Sequence, residues 1–355
     1  GDEPSYQNAW CYGQVYQSIK RVMPECYVQY NLNPLQHDNY NMVKYWYDGS
    51  TPARSTPTNE ETEAAYKNYV KAFLDAMGTD YIQYDDYPFK SECNNNILGI
   101  CRSDTTYVDP TALRNIQIIA EIAQERNLTV KVVTQSCHMT DGKSGHDRIR
   151  QITEEDARWL NNYLMGFGVK QISYFTYWTK AANSATGETF IDGGSFVNRN
   201  GETTALYDIM KAIMTENTAF AKTISHFDYS ASNVVTGSKY QFASDHITWG
   251  TTMTSGSFKW LTGATTSTDA TLVTELYDKE KYNYMYMVMN TIDPYEQNTN
   301  GENTTQTITI TFDASVTSFY VYQSNGTRTT QTGNNTYTVT LTAGQAIYLM
   351  PILEA

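Results

Sequence analysis

The alternation of strand-like and helix-like runs over residues 1–224, and its abrupt end near Ser225, constrain the fold of this chain more than any other feature. Apolar residues recur at helical spacing from about Tyr6 to Val22. There Trp10, Val15, Ile19 and Val22 would share the buried face, with Ser5 as N-cap. The same periodicity predicts helices over Asn59 to Met77, Pro110 to Arg126, Thr153 to Gly166 and Thr203 to Asn217. Strand-like runs lie between them at Cys26 to Pro34, Asp80 to Phe89, Thr129 to Gln135 and Gly168 to Trp178. Strands that alternate with helices imply parallel βα units. Asn31 to Asp85 is 54 positions, Asp85 to Gln135 is 50 and Gln135 to Tyr177 is 42. A minimal barrel unit needs roughly 30 residues, so these loops are long, and long loops on the ligand edge are where such folds build a site.

Beyond Ser225 the chain is rich in Thr, Tyr, Ser and Asn in short alternating runs. Strands are predicted at Tyr240 to Ala243, Phe258 to Leu261, Tyr282 to Asn290, Thr305 to Phe312, Ser318 to Tyr322, Thr336 to Leu341 and Gln345 to Pro351. Hairpin turns are predicted at Asn325-Gly326 and Gly333-Asn334. This pattern describes an antiparallel β-sandwich. Its tyrosines would stack on sugar rings or, more commonly, stabilise cross-strand pairs. The expected fold class is α/β plus all-β, with residues 1–224 as one unit and 225–355 as an accessory sandwich. A chain of 355 residues has room for about two domains.

Within the first unit, one strand ends in acid. Tyr81-Ile82-Gln83-Tyr84 runs into Asp85-Asp86, and Pro88, which cannot donate to a ladder, stops the strand just after them. Both aspartates therefore sit at the carboxyl end of a strand, the edge where parallel α/β proteins place ligands, unless they merely cap the following turn. Charged residues make up only 18%, while tyrosine occurs 29 times, the balance of a surface that reads neutral polar ligands by stacking and hydrogen bonds. Acidic residues outnumber basic ones 38 to 25, and the resulting −13 repels nucleic acid and anionic membrane surfaces. No apolar run is long enough to span a bilayer.

The five cysteines form no Cys-x-x-Cys pair. Cys93 and Cys101 bracket an Asn-rich loop and would be bridged in an oxidising compartment or stand as free thiols otherwise. Cys137-His138, with His146 nearest in sequence, completes no zinc ligand set, which needs three or four protein ligands. No metal or cofactor is expected.

Four strand ends make a pattern when taken together: Asp2-Glu3-Pro4, Asn31-Leu32-Asn33-Pro34, Tyr84-Asp85-Asp86-Tyr87-Pro88-Phe89 and Tyr174-Phe175-Thr176-Tyr177-Trp178. Their order and spacing over residues 1 to about 220 resemble the TIM-barrel glycoside hydrolases, in particular beta-galactosidase-like glycosidases of gut bacteria. Gly201-Glu202-Thr203-Thr204-Ala205-Leu206 also resembles that family's closing helix. The resemblance implies a (β/α)8 barrel, a carbohydrate partner, no cofactor and an extracytoplasmic location. It implies that Glu3 is the acid/base glutamate of the fourth barrel strand and Asp85 the aspartate of the sixth. Asn31, Asn33, Asp86, Tyr87, Gln135, Tyr177 and Trp178 would line the sugar pocket, the last two as its aromatic floor. Glycoside cleavage needs one protonated carboxyl at the leaving oxygen and one carboxylate opposite it.

The sequence departs from that pattern twice. The seventh-strand position reads Thr134-Gln135-Ser136, and an amide can hydrogen-bond a hydroxyl but cannot form a glycosyl ester. Either Asp85 or Asp86 supplies the second carboxylate, or the chain binds glycan without cleaving it. Glu3 also stands at the start of the chain, so only the second half of a barrel is expected, with an open edge. A second copy or a missing N-terminal half would cover that edge. The reading favoured by the sequence is hydrolysis of a neutral oligo- or polysaccharide. Its rivals are a catalytically inactive glycan-binding protein and an adhesion module in which the barrel remnant is scaffold.

Overall fold

The parallel layer is built from segments whose apolar residues face helices on one side. In a computed structural model, the residues described are 1–35, 59–90, 107–108, 110–141, 147–181, 188–235, 258–268, 271–294 and 304–353. Strand β1 (Tyr81–Asp86) is buried along its whole length. It pairs in parallel with β2 (Thr129–Gln135), from Tyr81 opposite Thr129 to Asp86 opposite Thr134. β2 pairs in parallel with β3 (Gln171–Phe175). On the other side of β1, parallel bridges join Leu32 to Tyr84 and Asp2 to Asn31. Five segments thus lie side by side in chain order. Among the described residues the layer does not close on itself, since β3 pairs only with β2.

The run expected as a strand from Cys26 to Pro34 touches the layer only at Asn31 and Leu32. Leu32 N–H donates to Gln83 C=O at 3.0 Å, but two residues on Pro34 has no N–H to give β1, and Asn33 N–H goes to the Tyr69 hydroxyl at 3.1 Å, so the ladder ends. β3 likewise stops at Phe175, three residues short of the expected end.

Helix α1 (Ala9–Val22) follows a single 3-10 turn, with Ser5 in the N-cap position but its side chain unbonded. Its buried face differs from the one expected. Ala9, Gly13 and Tyr16 are buried, whereas Trp10, Val15 and Val22 are exposed. The cause is Gly13, where an added Cβ would lie 2.5 Å from the Ala76 carbonyl oxygen, so backbone packs on backbone and a glycine marks the contact. Helices α2 (Asn59–Met77) and α3 (Pro110–Arg126) match their expected bounds. α4 (Glu154–Gly166) opens on a capping box between Thr153 and Asp156. α5 (Ala205–Ile224) runs past Asn217 because Phe220 and Ile224 still have a core to enter.

Short strands between Phe89 and Phe190 make one small antiparallel sheet, and the strands beyond Ser225 form two more. Strands β4 (Asp228–Val235), β5 (Leu261–Thr266), β6 (Thr271–Asp278), β7 (Asn283–Asn290), β8 (Gln306–Phe312), β9 (Ser318–Gln323), β10 (Arg328–Thr332), β11 (Thr336–Leu341) and β12 (Ala346–Pro351) follow in order. One sheet runs β10-β9-β12-β7-β6-β4 and the other β5-β8-β11. Asn325-Gly326 is the expected hairpin between β9 and β10. Gly333-Asn334 is not a hairpin: it carries the chain from β10 in the large sheet to β11 in the small one. The strand expected at Tyr240 to Ala243 lies outside the described residues, as do Cys93, Cys101 and His146.

The large sheet is covered on both faces except at its exposed edge strand β10. Val273, Val288 and Leu349 belong to the sandwich core with Ile308 and Ile310 of the small sheet. Leu272, Met287 and Tyr348 belong instead to the main core with Trp159 of α4 and Phe220 of α5. A buried ionic group ties the same regions together. The Arg150 guanidinium donates to Asp156 at the start of α4 (2.8 Å) and to Asp293 after β7 (2.9 Å).

Candidate active site

A cavity of about 650 Å³ opens at the carboxyl ends of the parallel segments. Asp2 and Glu3 reach it from the first segment, Asn31 from the second, Asp85 and Tyr87 from the end of β1, Val133 from β2 and Phe175 from the end of β3. Met139 and Phe190, paired across two short strands, and Lys180 complete the far wall.

Of the residues singled out in the sequence, Glu3, Asn31, Asp85 and Tyr87 meet at this cavity, and five others do not. Asp86 lies next to Asp85 in a strand, so it points to the opposite face, where its charge acts on the buried phenols of Tyr66 and Tyr84. Asn33 is a buried bracket: its amide donates to the Pro4 carbonyl (3.2 Å) and to the Tyr69 hydroxyl (3.3 Å). Gln135 is fully buried with both ends engaged, Oε1 accepting from Phe89 N–H (2.9 Å) and Nε2 donating to the Arg150 carbonyl (3.1 Å). Tyr177 and Trp178 are 61% and 47% exposed, outside the cavity. β3 has ended by then, and Trp178 is bridged in parallel to Val197, whose N–H donates to the Tyr177 carbonyl and whose carbonyl accepts from Thr179 N–H. The aromatic wall of the cavity is therefore Tyr87, Phe175 and Phe190.

The electrostatics centre on Asp85, which is only 3% exposed. Its Oδ2 accepts from the Tyr87 hydroxyl at 3.2 Å, while Oδ1 has no hydrogen-bond partner. Burial pushes its pKa up from 3.8 to about 8, helped by repulsion from Glu3 and Asp2; the Tyr87 hydroxyl opposes the shift. Asp85 is therefore mostly protonated at neutral pH. The Tyr87 phenol is itself driven far above its ordinary value by burial and by the neighbouring Asp85 charge.

The backbone presents the other acids to the cavity. Glu3 N–H donates to the Asn31 carbonyl at 2.8 Å, and Asn31 Nδ2 donates to Asp2 Oδ1 at 3.2 Å. Glu3 has φ of 40°, a left-handed conformation that costs a side-chain-bearing residue about 1–3 kcal/mol. The bracket of Asn33 and Tyr69 on Pro4 holds the next residue and so maintains it.

Such an arrangement can deliver a proton from a buried carboxyl to a ligand atom beside two exposed carboxylates. Among the described residues, no group of three or more His, Cys, Asp and Glu side chains is placed to hold a metal ion. No helix among them is long and apolar enough to cross a membrane.

No protein-family model matches the chain, and no curated protein matches it in sequence. Among solved structures it is similar to a GH30 endoxylanase from Clostridium papyrosolvens C71, at 11% identity and a TM-score of 0.34 over 98% of this chain and 72% of that one. It is also similar to alpha-galactosidase I from Mortierella vinacea, at 10% identity and a TM-score of 0.37 over 97% of this chain and 80% of that one. An Anoxybacillus alpha-amylase gives 8% identity and a TM-score of 0.37 over 99% of this chain and 65% of that one. All three overlaps are loose.

Proposed function

We propose that the cavity binds a saccharide and that the protein hydrolyses an O-glycosidic bond, with Asp85 as general acid and Glu3 as the opposing carboxylate. The observation that carries this reading is a buried carboxyl, its pKa near 8, facing a cavity alongside Glu3 and Asp2. In the step proposed, the glycosidic C–O bond breaks and its oxygen takes the Asp85 proton. The anomeric carbon takes the oxygen of a water whose own proton passes to Glu3. The sequence alone favours Glu3 as acid and Asp85 as its partner; the burial of Asp85 reverses that division of labour. Tyr87 and Phe175 would offer apolar contact to a pyranose.

The test compares leaving groups. Asp85→Asn is expected to lower turnover of an unactivated oligosaccharide by about 100-fold or more, and that of an aryl glycoside, whose leaving group hardly needs a proton, far less. Equal losses on both substrates would count against Asp85 as the acid. Glu3→Gln is expected to abolish turnover of both. A second reading, saccharide binding without cleavage, is favoured by one observation: β2 contributes Val133 rather than a carboxylate to the wall, and Gln135 is fully committed elsewhere. Saturable binding by a protein inert across a glycoside panel would establish it instead.

A further inference from the structure

The cavity has two walls of opposite charge. Asp2 and Glu3 stand on one side beside the protonated Asp85, and Lys180 is the one basic side chain among the described residues of the lining. Its ammonium lies 4.2 Å from the centre of the Phe175 ring and 5.8 Å from that of Phe190, both of which line the same cavity. Two aromatic faces hold a cation in place through their negative quadrupoles, without neutralising it. No carboxylate among the described residues lies within ion-pair distance of Lys180, although acids occupy the opposite wall. A ligand entering here therefore meets positive charge beside the aromatic wall.

We propose that Lys180 selects saccharides carrying an anionic substituent, a uronate carboxylate or a sulfate ester, and that this group anchors the ligand on the β3 side of the cavity. The inference rests on the reading of the cavity as a saccharide site and revises the expectation of a wholly neutral glycan. The anion would pair with Lys180 and point away from the acidic wall, since repulsion by Asp2 and Glu3 disfavours the reverse placement. The uncharged glycosidic oxygen would then face Asp85. One cation thereby fixes both what is bound and which way round it lies.

Calorimetric titration of the full chain, unmodified and as Lys180→Met and Lys180→Arg, tests this. The probes are neutral glucan, galactan and xylan oligosaccharides, each beside its uronate-bearing and its sulfated counterpart. The unmodified protein is expected to bind one charged counterpart about tenfold or more tightly than the neutral parent, the worth of one charge-assisted hydrogen bond, with a preference that shrinks as salt rises. Which counterpart is preferred separates carboxylate from sulfate. Lys180→Met should erase the preference for the charged form over the neutral parent, and Lys180→Arg should keep most of it. Equal affinity for neutral and charged forms, or a preference that survives in Lys180→Met, overturns the role of Lys180 and leaves the saccharide reading standing. If none of the probes binds, both fall.

Discussion

Asp85 is held in a state its neighbours would otherwise oppose, because an ionised carboxylate at 3% exposure beside two other acids has nowhere to place its charge. The consequence for stability has a definite sign. Folding raises the pKa from 3.8 to about 8, so between those values the folded chain binds a proton that the unfolded chain has released. The contribution of Asp85 is most favourable below pH 3.8 and is lost progressively as pH climbs to about 8. Asp85→Asn removes that titration. Its melting temperature relative to the unmodified protein is expected to rise from pH 4 to pH 8 and to level off above, as followed by circular dichroism across that range. A difference that stays flat with pH would show that the carboxyl is not perturbed. The position of Asp85 at a strand end was legible from Pro88, but its burial and its repulsive neighbours were not. Those depend on Asp2 and Glu3, far away in sequence, arriving beside it. Trp178 illustrates the reverse error. The run from Gly168 looks continuous, yet the strand ends at Phe175, and the aromatic residue that faces the cavity is Phe175 rather than Trp178.

Elements in this fold are fastened by buried amides whose role a sequence does not announce. Gln135 joins the end of β2 to Phe89 and to Arg150, and Phe89 lies two residues after Tyr87, the donor to Asp85. Gln135→Leu would fill the space but orphan a buried N–H and a buried C=O, at about 1–3 kcal/mol for each group. The expected result is a lower urea midpoint with an unchanged slope. An unaltered midpoint would mean that the two groups find other partners. The family resemblance placed Gln135 and Asn33 in the sugar pocket, but both are spent on hydrogen bonds the chain itself needs. Helix periodicity fared better in locating α2, α3 and α4 than in orienting α1. A scale that counts Trp10 and Val15 as core and Gly13 as nothing cannot foresee a backbone-to-backbone contact. The start of α4 at Thr153 was legible because its signal is local, although the capping box with Asp156 was not foreseen.

Across the molecule, the two larger antiparallel sheets lie beyond Ser225, where the texture of the sequence changes, with β4 starting at Asp228. That change did not reveal that the large sheet would be buried on both faces away from its edge strand β10. β6, with Thr271 to Leu276 buried without a break, has no period-two alternation and went unseen for that reason. The main core runs from α2 through α4 and α5 into the large sheet, and the Arg150–Asp156–Asp293 group crosses the same boundary. The acids at positions 2, 3 and 85 meet only when the first three parallel segments are in register, and the rest of the cavity wall comes from β2, β3 and the segments beyond them. The unusual proton affinity of Asp85 is therefore a report on that register. The most direct measurement is the titration of the Asp85 carboxyl carbon by NMR in protein labelled with carboxyl-13C aspartate, assigned by its loss in Asp85→Asn and repeated in Glu3→Gln. The account predicts a midpoint near pH 8 that falls in Glu3→Gln as the repulsion is relieved. A midpoint near the ordinary 3.8 in the unmodified protein would contradict it.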